Sequence, residues 1–293
     1  MSDIAVIGVG AIGGVVAARL CAAGRNNIVL CVRGQFGALV PEAPDGKLTV
    51  TPPVVTSPEG ARPIAWILLA TKAHQTPGAA GWLRALATTR TTIAILQNGV
   101  EHEERVRAYA NGATLLPAVV ECRAERIGPG RIIQRTPSEI VVSATDAGRN
   151  FVTLCEGTAL RVHTTTDFAT AAWRKLCVSV AGGAITALSE RTLGVVRRPD
   201  VAEVARDLIR ECIAVGRAEG ARLEDELADG IVAAMIQGPE EAGTSMLADR
   251  RLGRPLEVDA RNGAVARIGA RHGIATPLNK ALAALLAAIH AEP

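Results

Sequence analysis

The 293-residue sequence has few aromatic side chains and few lysines. Three Trp, three Phe and one Tyr are too few for a base-stacking surface. Formal net charge is only +3 and no segment carries a block of like charge, so a nucleic-acid binder is not expected. Only four lysines accompany 28 arginines among the 32 basic residues. Lysine can release its proton at accessible pH and arginine cannot, so a retained lysine is either a chance survivor or a proton-transfer group.

The sequence also lacks long hydrophobic runs and paired cysteine motifs. Its most apolar segment, Ala281 to Ile289, is too short to span a bilayer, and no basic stretch precedes the first apolar run. We therefore expect neither membrane association nor a signal peptide. The six cysteines form no CxxC pair and no Cys/His ligand spacing. This pattern predicts reduced, mostly buried thiols, no metal site and a cytoplasmic location.

Apolar runs alternate with helical patterns in the first half of the chain, which predicts an α/β fold with a parallel sheet covered on both faces. Strands are predicted at residues 3–9, 27–32, 64–70, 92–96 and 113–120, with a helix from the third strand through residue 86. Antiparallel strand material is predicted at 132–142. From residue 168 onward only helices are predicted. We therefore expect an N-terminal Rossmann-type dinucleotide-binding domain at residues 1–166 and an all-helical domain at 167–293.

The helical half has its own periodicity and start signals. Pro199 and Pro277 occupy plausible first positions of helices. Apolar residues at helical spacing predict one buried face on the helix that follows Pro199; they are Val201, Val204, Leu208, Cys212 and Val215. A further helix is predicted from residue 258, with Glu257 at its start, where a carboxylate complements the helix dipole.

A glycine loop follows the first predicted strand and opens the first helix. Its six residues are Gly8, Val9, Gly10, Ala11, Ile12 and Gly13. In this setting the first glycine permits the turn, the second lets a pyrophosphate approach the backbone, and the third lets helix and strand pack closely. A turn that serves packing alone is the alternative, but the strand–turn–helix context favours a dinucleotide.

The end of the second strand indicates which dinucleotide is bound. NAD-binding domains usually place Asp or Glu there to bond the ribose 2′-hydroxyl, and the segment from Leu30 to Gln35 contains no acid. Arg33 stands where a 2′-phosphate would need a cation. The missing carboxylate and Arg33 together favour NADP, although Arg33 is also one of many surface arginines.

Polar residues follow two more strands, and a lysine lies in the first helix of the second half. Lys72 and Asn98 come at predicted C-terminal strand ends, where open α/β sheets bind ligands. Lys175 and Ser179 are four residues apart and share a helix face. Apolar neighbours of Lys175 suggest burial, which lowers the pKa of a lysine and suits it to general acid catalysis. The same local pattern also fits a solvated lysine beside Arg174.

Taken together, these segments resemble the ketopantoate reductase (2-dehydropantoate 2-reductase) family of NADPH-dependent enzymes. The resemblance covers nearly the whole chain. It is carried, in this order, by the loop from Gly8 to Gly13, Lys72, Gln97-Asn98-Gly99, Trp173-Arg174-Lys175-Leu176, Thr244-Ser245-Met246-Leu247 with Asp249, and Arg254 to Asp259 with Asn262-Gly263.

The resemblance implies a Rossmann domain and a helical domain with the active site in the cleft between them. Lys175 would be the general acid for reduction of a small 2-oxo acid, with Glu257 as a second catalytic residue that orients the lysine or contacts cofactor and substrate. Ser245 would bond the substrate carboxylate and Asn98 would bridge cofactor and substrate. Lys72 would lie against the NADPH, and Ser179 would line the substrate site.

Three positions depart from the family pattern and keep alternatives open. Ser179 and Gly183 replace residues that are commonly Asn in the family, and Leu193 replaces a further Asn. Loss of polar partners redirects substrate choice. The resemblance favours 2-dehydropantoate as substrate. The three departures keep open a D-2-hydroxyacid dehydrogenase acting on another 2-oxo acid, and a non-catalytic NADP(H)-binding protein is the second alternative. A homodimer through the helical half is compatible with the sequence but not required by it.

Overall fold

The computed structural model describes residues 3–24 and 27–289, which form two compact units. The first unit contains the described residues up to Gln97 together with Glu101–Phe168. The second contains the described residues from Ala169 onward and also the short segment Asn98–Val100. Asn98, although it lies in the first half of the sequence, is therefore part of the helical unit.

Two sheets form the first unit. Among the described residues the strands are β1 (Asp3–Ile7), β2 (Asn27–Cys31), β3 (Val40–Ala43), β4 (Gly46–Lys47), β5 (Val54–Val55), β6 (Trp66–Leu69), β7 (Thr92–Ile95), β8 (Thr114–Glu121), β9 (Ala124–Gly128), β10 (Arg131–Gln134), β11 (Ser138–Ser143) and β12 (Leu160–Thr165). The larger sheet has the order β12-β11-β8-β7-β6-β1-β2-β5 and the smaller one the order β4-β3-β10-β9.

Six neighbouring strands of the larger sheet, in the order β5-β2-β1-β6-β7-β8, are parallel and doubly wound. Along the sheet they lie in the sequence order third, second, first, fourth, fifth and sixth, so the winding direction reverses between β1 and β6. Loops that leave β1 and β6 therefore diverge at the carboxyl edge of the sheet, where doubly wound sheets bind ligands. The predicted α/β fold is confirmed, and β11 adds an antiparallel neighbour beside β8.

Helices cover both faces of the larger sheet. They are α1 (Ala11–Ala22), α2 (Ala80–Leu86), α3 (His102–Arg107) and α4 (Asp146–Cys155). Ile4 and Val6 of β1 belong to the core on one face, and Ala5 and Ile7 belong to the core on the other. A strand buried on both faces needs a continuous apolar run, which is why β1 was recognisable from its sequence.

Two of the predicted boundaries in this unit are wrong. The helix expected between the third strand and residue 86 is broken into two 3₁₀ turns, Ala73–Gln75 and Pro77–Ala79, before α2 begins. Pro77 starts the second turn, since it has no N–H to donate to a preceding carbonyl. The strand material expected at 132–142 divides into β10 and β11, which belong to different sheets.

The second unit is helical within the residues that the structure describes. Its helices are α5 (Phe168–Ser189), α6 (Pro199–Ala218), α7 (Leu227–Gln237), α8 (Ser245–Arg251), α9 (Asn262–Arg271) and α10 (Pro277–Ala288). Pro199 and Pro277 begin α6 and α10 as predicted. The predicted buried face of α6 is wrong at Val204, which is 40% exposed, because the buried stripe runs through Ala205 and Ile209 instead. None of the described helices combines the length and apolarity needed to cross a membrane.

Candidate functional site

The loop between β1 and α1 is shaped by close backbone contacts. The Gly8 N–H donates to the carbonyl oxygen of Cys31 at 3.3 Å, which joins the loop to the end of β2. Gly8 has φ +93°, and a Cβ there would lie 2.6 Å from the backbone nitrogen of Thr71, in the loop after β6. Only glycine fits a left-handed conformation under such a contact. Gly8 therefore brings together the ends of β1, β2 and β6.

Gly10 and Gly13 serve different purposes in this loop. A Cβ on Gly13 would lie 2.1 Å from the Gly8 carbonyl oxygen, so this position is closed by packing. A Cβ on Gly10 would meet no atom within 4 Å. Gly10 is the N-cap residue of α1, so no side chain caps the helix at this position, and the first turn of α1 contains no acidic residue. The open space beside Gly10 and the positive end of α1 fit a pyrophosphate group, with half-buried Val9, Ala11 and Ile12 alongside it in sequence.

Arg33 and Lys72 lie on the loops that flank the glycine loop in the sheet. Arg33 is exposed, two residues after β2 ends. Lys72 is half-buried, three residues after β6, and its N–H donates to Gln75 Oε1 at 3.3 Å. The buried Gln97, two residues after β7, donates from Nε2 to Thr71 Oγ1 at 2.9 Å and so fixes the loop that carries Lys72.

In the helical unit, three predicted site residues meet in one cluster. Asn98 Nδ2 donates to Glu257 Oε2 at 2.9 Å, although 159 residues separate them in sequence. Arg261 Nη2 donates to the same Glu257 oxygen at 3.1 Å and to Ser245 Oγ at 3.0 Å. Glu257 is only 2% exposed. We call Asn98, Ser245, Glu257 and Arg261 the carboxylate cluster.

Local backbone geometry explains how Asn98 reaches this cluster. Gly99 has φ +111°, and a Cβ there would lie 2.9 Å from the Ala260 carbonyl oxygen. The strand-end turn can therefore approach the segment that precedes α9. Glu257 belongs to that non-helical segment, since α9 begins only at Asn262. The expectation that Glu257 opens a helix is wrong, and its carboxylate is held by side-chain donors instead.

The face of α5 that carries Lys175 leads toward the same cluster. Lys175 is half-buried rather than buried, because Leu176 and Cys177 face the core while Lys175 lies toward the side. Ser179 Oγ donates to the Lys175 carbonyl oxygen at 3.1 Å, as their spacing on one face allows. Gly183, one further turn along that face, lies against Arg261: a Cβ on Gly183 would be 3.1 Å from Arg261 Nη1.

Arg261 is the member of the cluster that the sequence did not reveal. Among 28 arginines a single Arg four residues after Glu257 carries no special signal. Its burial to 3% exposure became visible only in the folded chain. Gln97 was noticed as part of a motif, but its hydrogen bonds to the loop after β6 were not predicted.

Comparisons with known proteins agree on one family. The ketopantoate reductase PanE/ApbA model matches residues 4–147, and the model of that family's C-terminal part matches residues 167–290. A 2-dehydropantoate 2-reductase of Caulobacter vibrioides is 44% identical over 98% of both chains, and one of Mycobacterium tuberculosis is 41% identical over 100% of this chain and 99% of the relative.

A solved structure supports the same assignment. The PanE/ApbA family ketopantoate reductase of Ralstonia eutropha JMP134 superposes with a TM-score of 0.90 at 29% identity, covering 98% of each chain. This coverage includes residues of both units described above. With two family models matched across most of its length and relatives above 40% identity, this chain belongs to the ketopantoate reductase PanE/ApbA family, whose members are dinucleotide-binding oxidoreductases acting on CH–OH groups.

Proposed function

We propose that this enzyme reduces 2-dehydropantoate to pantoate with NADPH, and that Lys175 is its general acid. The carboxylate cluster carries the residue assignment: Asn98, Ser245 and Glu257, which the family resemblance assigns to substrate and catalysis, are joined by hydrogen bonds in the folded chain. The proposed substrate is inferred from the relatives above 40% identity, which are named 2-dehydropantoate 2-reductase.

The glycine loop and the two neighbouring loops are the proposed cofactor site. Gly10 leaves room for the pyrophosphate beside the N-terminus of α1. The exposed Arg33, two residues after β2, is the proposed partner of a 2′-phosphate, and the segment from Leu30 to Gln35 contains no acid for the ribose. Lys72 follows β6 on the adjacent loop. These features favour NADP over NAD.

The chemistry requires a proton as well as a hydride. Bound NADPH supplies the hydride that reduces the keto carbon. The carbonyl π electrons move to the oxygen, and the Lys175 ammonium gives its proton to that oxygen as negative charge develops. The half-buried position of Lys175 on α5 lets the lysine recover its proton from solvent. Arginine has no accessible neutral form, so it is a poor substitute for this step.

Other residues of the cluster orient the substrate. Asn98 Nδ2 is bonded to Glu257, which turns its Oδ1 away as an acceptor for a hydroxyl of substrate or cofactor. Ser245 is exposed at the start of α8 and is the proposed donor to the substrate carboxylate. Ser179 is proposed to line the same site from α5.

The two alternatives are not favoured. A D-2-hydroxyacid dehydrogenase with another substrate rested on Ser179, Gly183 and Leu193, yet relatives at 44% and 41% identity carry the 2-dehydropantoate 2-reductase name. A non-catalytic NADP(H)-binding protein is not favoured because the relatives above 40% identity are named as enzymes. A homodimer and a cytoplasmic location stay predictions.

The decisive experiment follows NADPH absorbance with 2-dehydropantoate beside a panel of 2-oxo acids of varied side chain. We expect turnover that prefers 2-dehydropantoate. Faster reduction of another 2-oxo acid would transfer the substrate assignment to that compound, and NADPH binding without any turnover would restore the non-catalytic alternative.

The role of Lys175 is tested with Lys175→Ala and Lys175→Arg. Both should lower kcat by at least about 10²-fold, the usual contribution of a general acid, while NADPH affinity changes little. Arg222→Ala, on the surface of the helical unit, is the control and should keep full activity. Full activity of Lys175→Ala would exclude the proposed proton donor.

A further inference from the structure

Arg261 is a buried cation inside the carboxylate cluster. The residue is 3% exposed, and arginine is a cation that only donates hydrogen bonds. One nitrogen, Nη2, serves both Ser245 and Glu257, at 3.0 and 3.1 Å. The Nε–H is buried and finds no acceptor among the described residues. A buried donor of this kind calls for an explanation, and the hydrogen bonds that Nη2 makes within the cluster provide one, because they hold the side chain in this position.

The bond to Ser245 fixes what the serine hydroxyl can do. Arginine can only donate, so Ser245 Oγ must be the acceptor. The hydroxyl hydrogen of Ser245 is then directed away from Arg261, and a charged donor on its oxygen polarises the O–H bond. Ser245 is thereby prepared to donate to a carboxylate.

The hydrogen bond from Arg261 to Glu257 reduces the repulsion between the Glu257 carboxylate and the carboxylate of a substrate. Glu257 Oε2 receives hydrogen bonds from both Asn98 and Arg261, so its charge is compensated within the cluster. Loss of Arg261 would remove one cation paired with the buried Glu257 and would make the site less favourable for an incoming carboxylate. One guanidinium thus orients the donor and neutralises the local anion.

Gly183 makes room for this arrangement on α5. A Cβ at Gly183 would lie 3.1 Å from Arg261 Nη1 and 3.1 Å from Met246 Sδ, closer than side-chain atoms normally pack. The absence of a side chain at Gly183 and the presence of Arg261 are therefore sterically linked.

We propose that Arg261 is a positioning residue for recognition of the substrate carboxylate: it presents the Ser245 hydroxyl and neutralises Glu257. This inference rests on the proposed function, because it concerns the 2-oxo acid that the enzyme reduces. It adds a residue to the site and explains why the cluster tolerates an anionic substrate beside a buried glutamate.

The test compares 2-dehydropantoate with its neutral dimethylamide in Arg261→Gln, Arg261→Lys and the control Arg267→Gln. Arg267 lies in α9, six residues after Arg261, but its side chain is 42% exposed and pairs with Asp259. Steady-state kinetics, NADPH affinity and thermal unfolding are measured for each. For Arg261→Gln we expect KM for the acid to rise at least 10-fold and the acid-to-amide ratio of kcat/KM to fall at least 10-fold, with NADPH affinity within twofold.

Arg261→Lys should recover part of this ratio, because it keeps the charge but not the planar fork. An unchanged ratio in Arg261→Gln, or an equal loss for acid and amide, would overturn the inference and leave Arg261 a structural residue. If Arg261→Gln does not fold, Arg261→Lys decides: we expect at least a threefold fall in the ratio, and an unchanged ratio refutes the role. Failure of the wild type and of Arg267→Gln to reduce 2-dehydropantoate would instead refute the proposed function.

Discussion

Adding one methyl group at Gly10 or at Gly13 should separate cofactor binding from folding. The two glycines are three residues apart in the same loop, but their surroundings differ. A Cβ on Gly13 would lie 2.1 Å from the Gly8 carbonyl oxygen and 2.8 Å from the Ala70 Cβ, whereas a Cβ on Gly10 would meet nothing within 4 Å. Gly13→Ala should therefore damage the fold, and Gly10→Ala should damage NADPH binding.

The magnitudes follow from these contacts. Ordinary carbon–oxygen contacts are about 3.3 Å or longer, so Gly13→Ala must move the Gly8 carbonyl or α1 by about 1 Å. Overpacking of this kind costs about 1–3 kcal/mol, and alanine in place of glycine in a helix returns about 0.5–1 kcal/mol. Because the obstacle is backbone, we expect a net loss of about 2 kcal/mol, or about 4–8 °C in Tm for a chain of this size.

Gly10→Ala should leave the fold nearly intact. Gly10 has φ −82° and extended geometry, which alanine also adopts. Alanine is a poorer helix cap than glycine, so a loss of about 0.5 kcal/mol is expected. A methyl group in the path of a pyrophosphate should weaken NADPH binding at least about 10-fold, equivalent to about 1.4 kcal/mol.

Differential scanning calorimetry and NADPH titration test both variants against Gly78→Ala. Gly78 also has free space around its Cβ position but lies outside the glycine loop, so NADPH affinity should not change and Tm should not fall. Wild-type NADPH affinity in Gly10→Ala would refute the assignment of the loop to the pyrophosphate. An unchanged Tm in Gly13→Ala would refute the packing argument.

Two further predictions concern the first unit. Arg33→Ala should weaken NADPH binding about 10- to 100-fold, the value of one charge-assisted hydrogen bond, while NADH affinity stays unchanged. Arg90→Ala, just before the amino end of β7, is the control. An equal loss of affinity for both nucleotides in Arg33→Ala would contradict the 2′-phosphate contact. Burial raises the pKa of Cys31 and of Cys155 to about 12, so both thiols should stay protonated at pH 8. They should react slowly with a disulfide reagent in the native enzyme and rapidly in denaturant. Rapid labelling of either thiol in the native enzyme would contradict their burial.

The sequence predicted those features that depend on neighbouring residues. The strand β1, the glycine loop and α1 follow one another without interruption, so periodicity and glycine spacing were enough to identify them. The wrong helix boundary before α2 also has a local cause, which is Pro77. A proline in an otherwise helical pattern indicates that the helix is interrupted, but it does not indicate which structure the chain forms next. All six cysteines are free, and four are buried, as predicted.

The carboxylate cluster could not be derived in this way, because its members are distant in sequence. Asn98 and Glu257 are 159 residues apart, and only the resemblance to a family indicated that they act together. Arg261 had no such indication, since periodicity cannot distinguish a buried arginine from the many exposed ones. Burial of a charge becomes apparent only when its partners are placed around it.

Gln97 and Asn98 are adjacent in sequence but make their side-chain hydrogen bonds in different networks. Gln97 belongs to the first unit, where it holds the loop after β6 that carries Lys72. Asn98, the next residue, belongs to the helical unit and bonds Glu257. A single peptide bond therefore connects the network proposed to hold the nucleotide with the cluster proposed to hold the acid. The carboxyl end of a parallel strand, where open α/β sheets bind ligands, is therefore the place in the sequence where the two proposed networks meet.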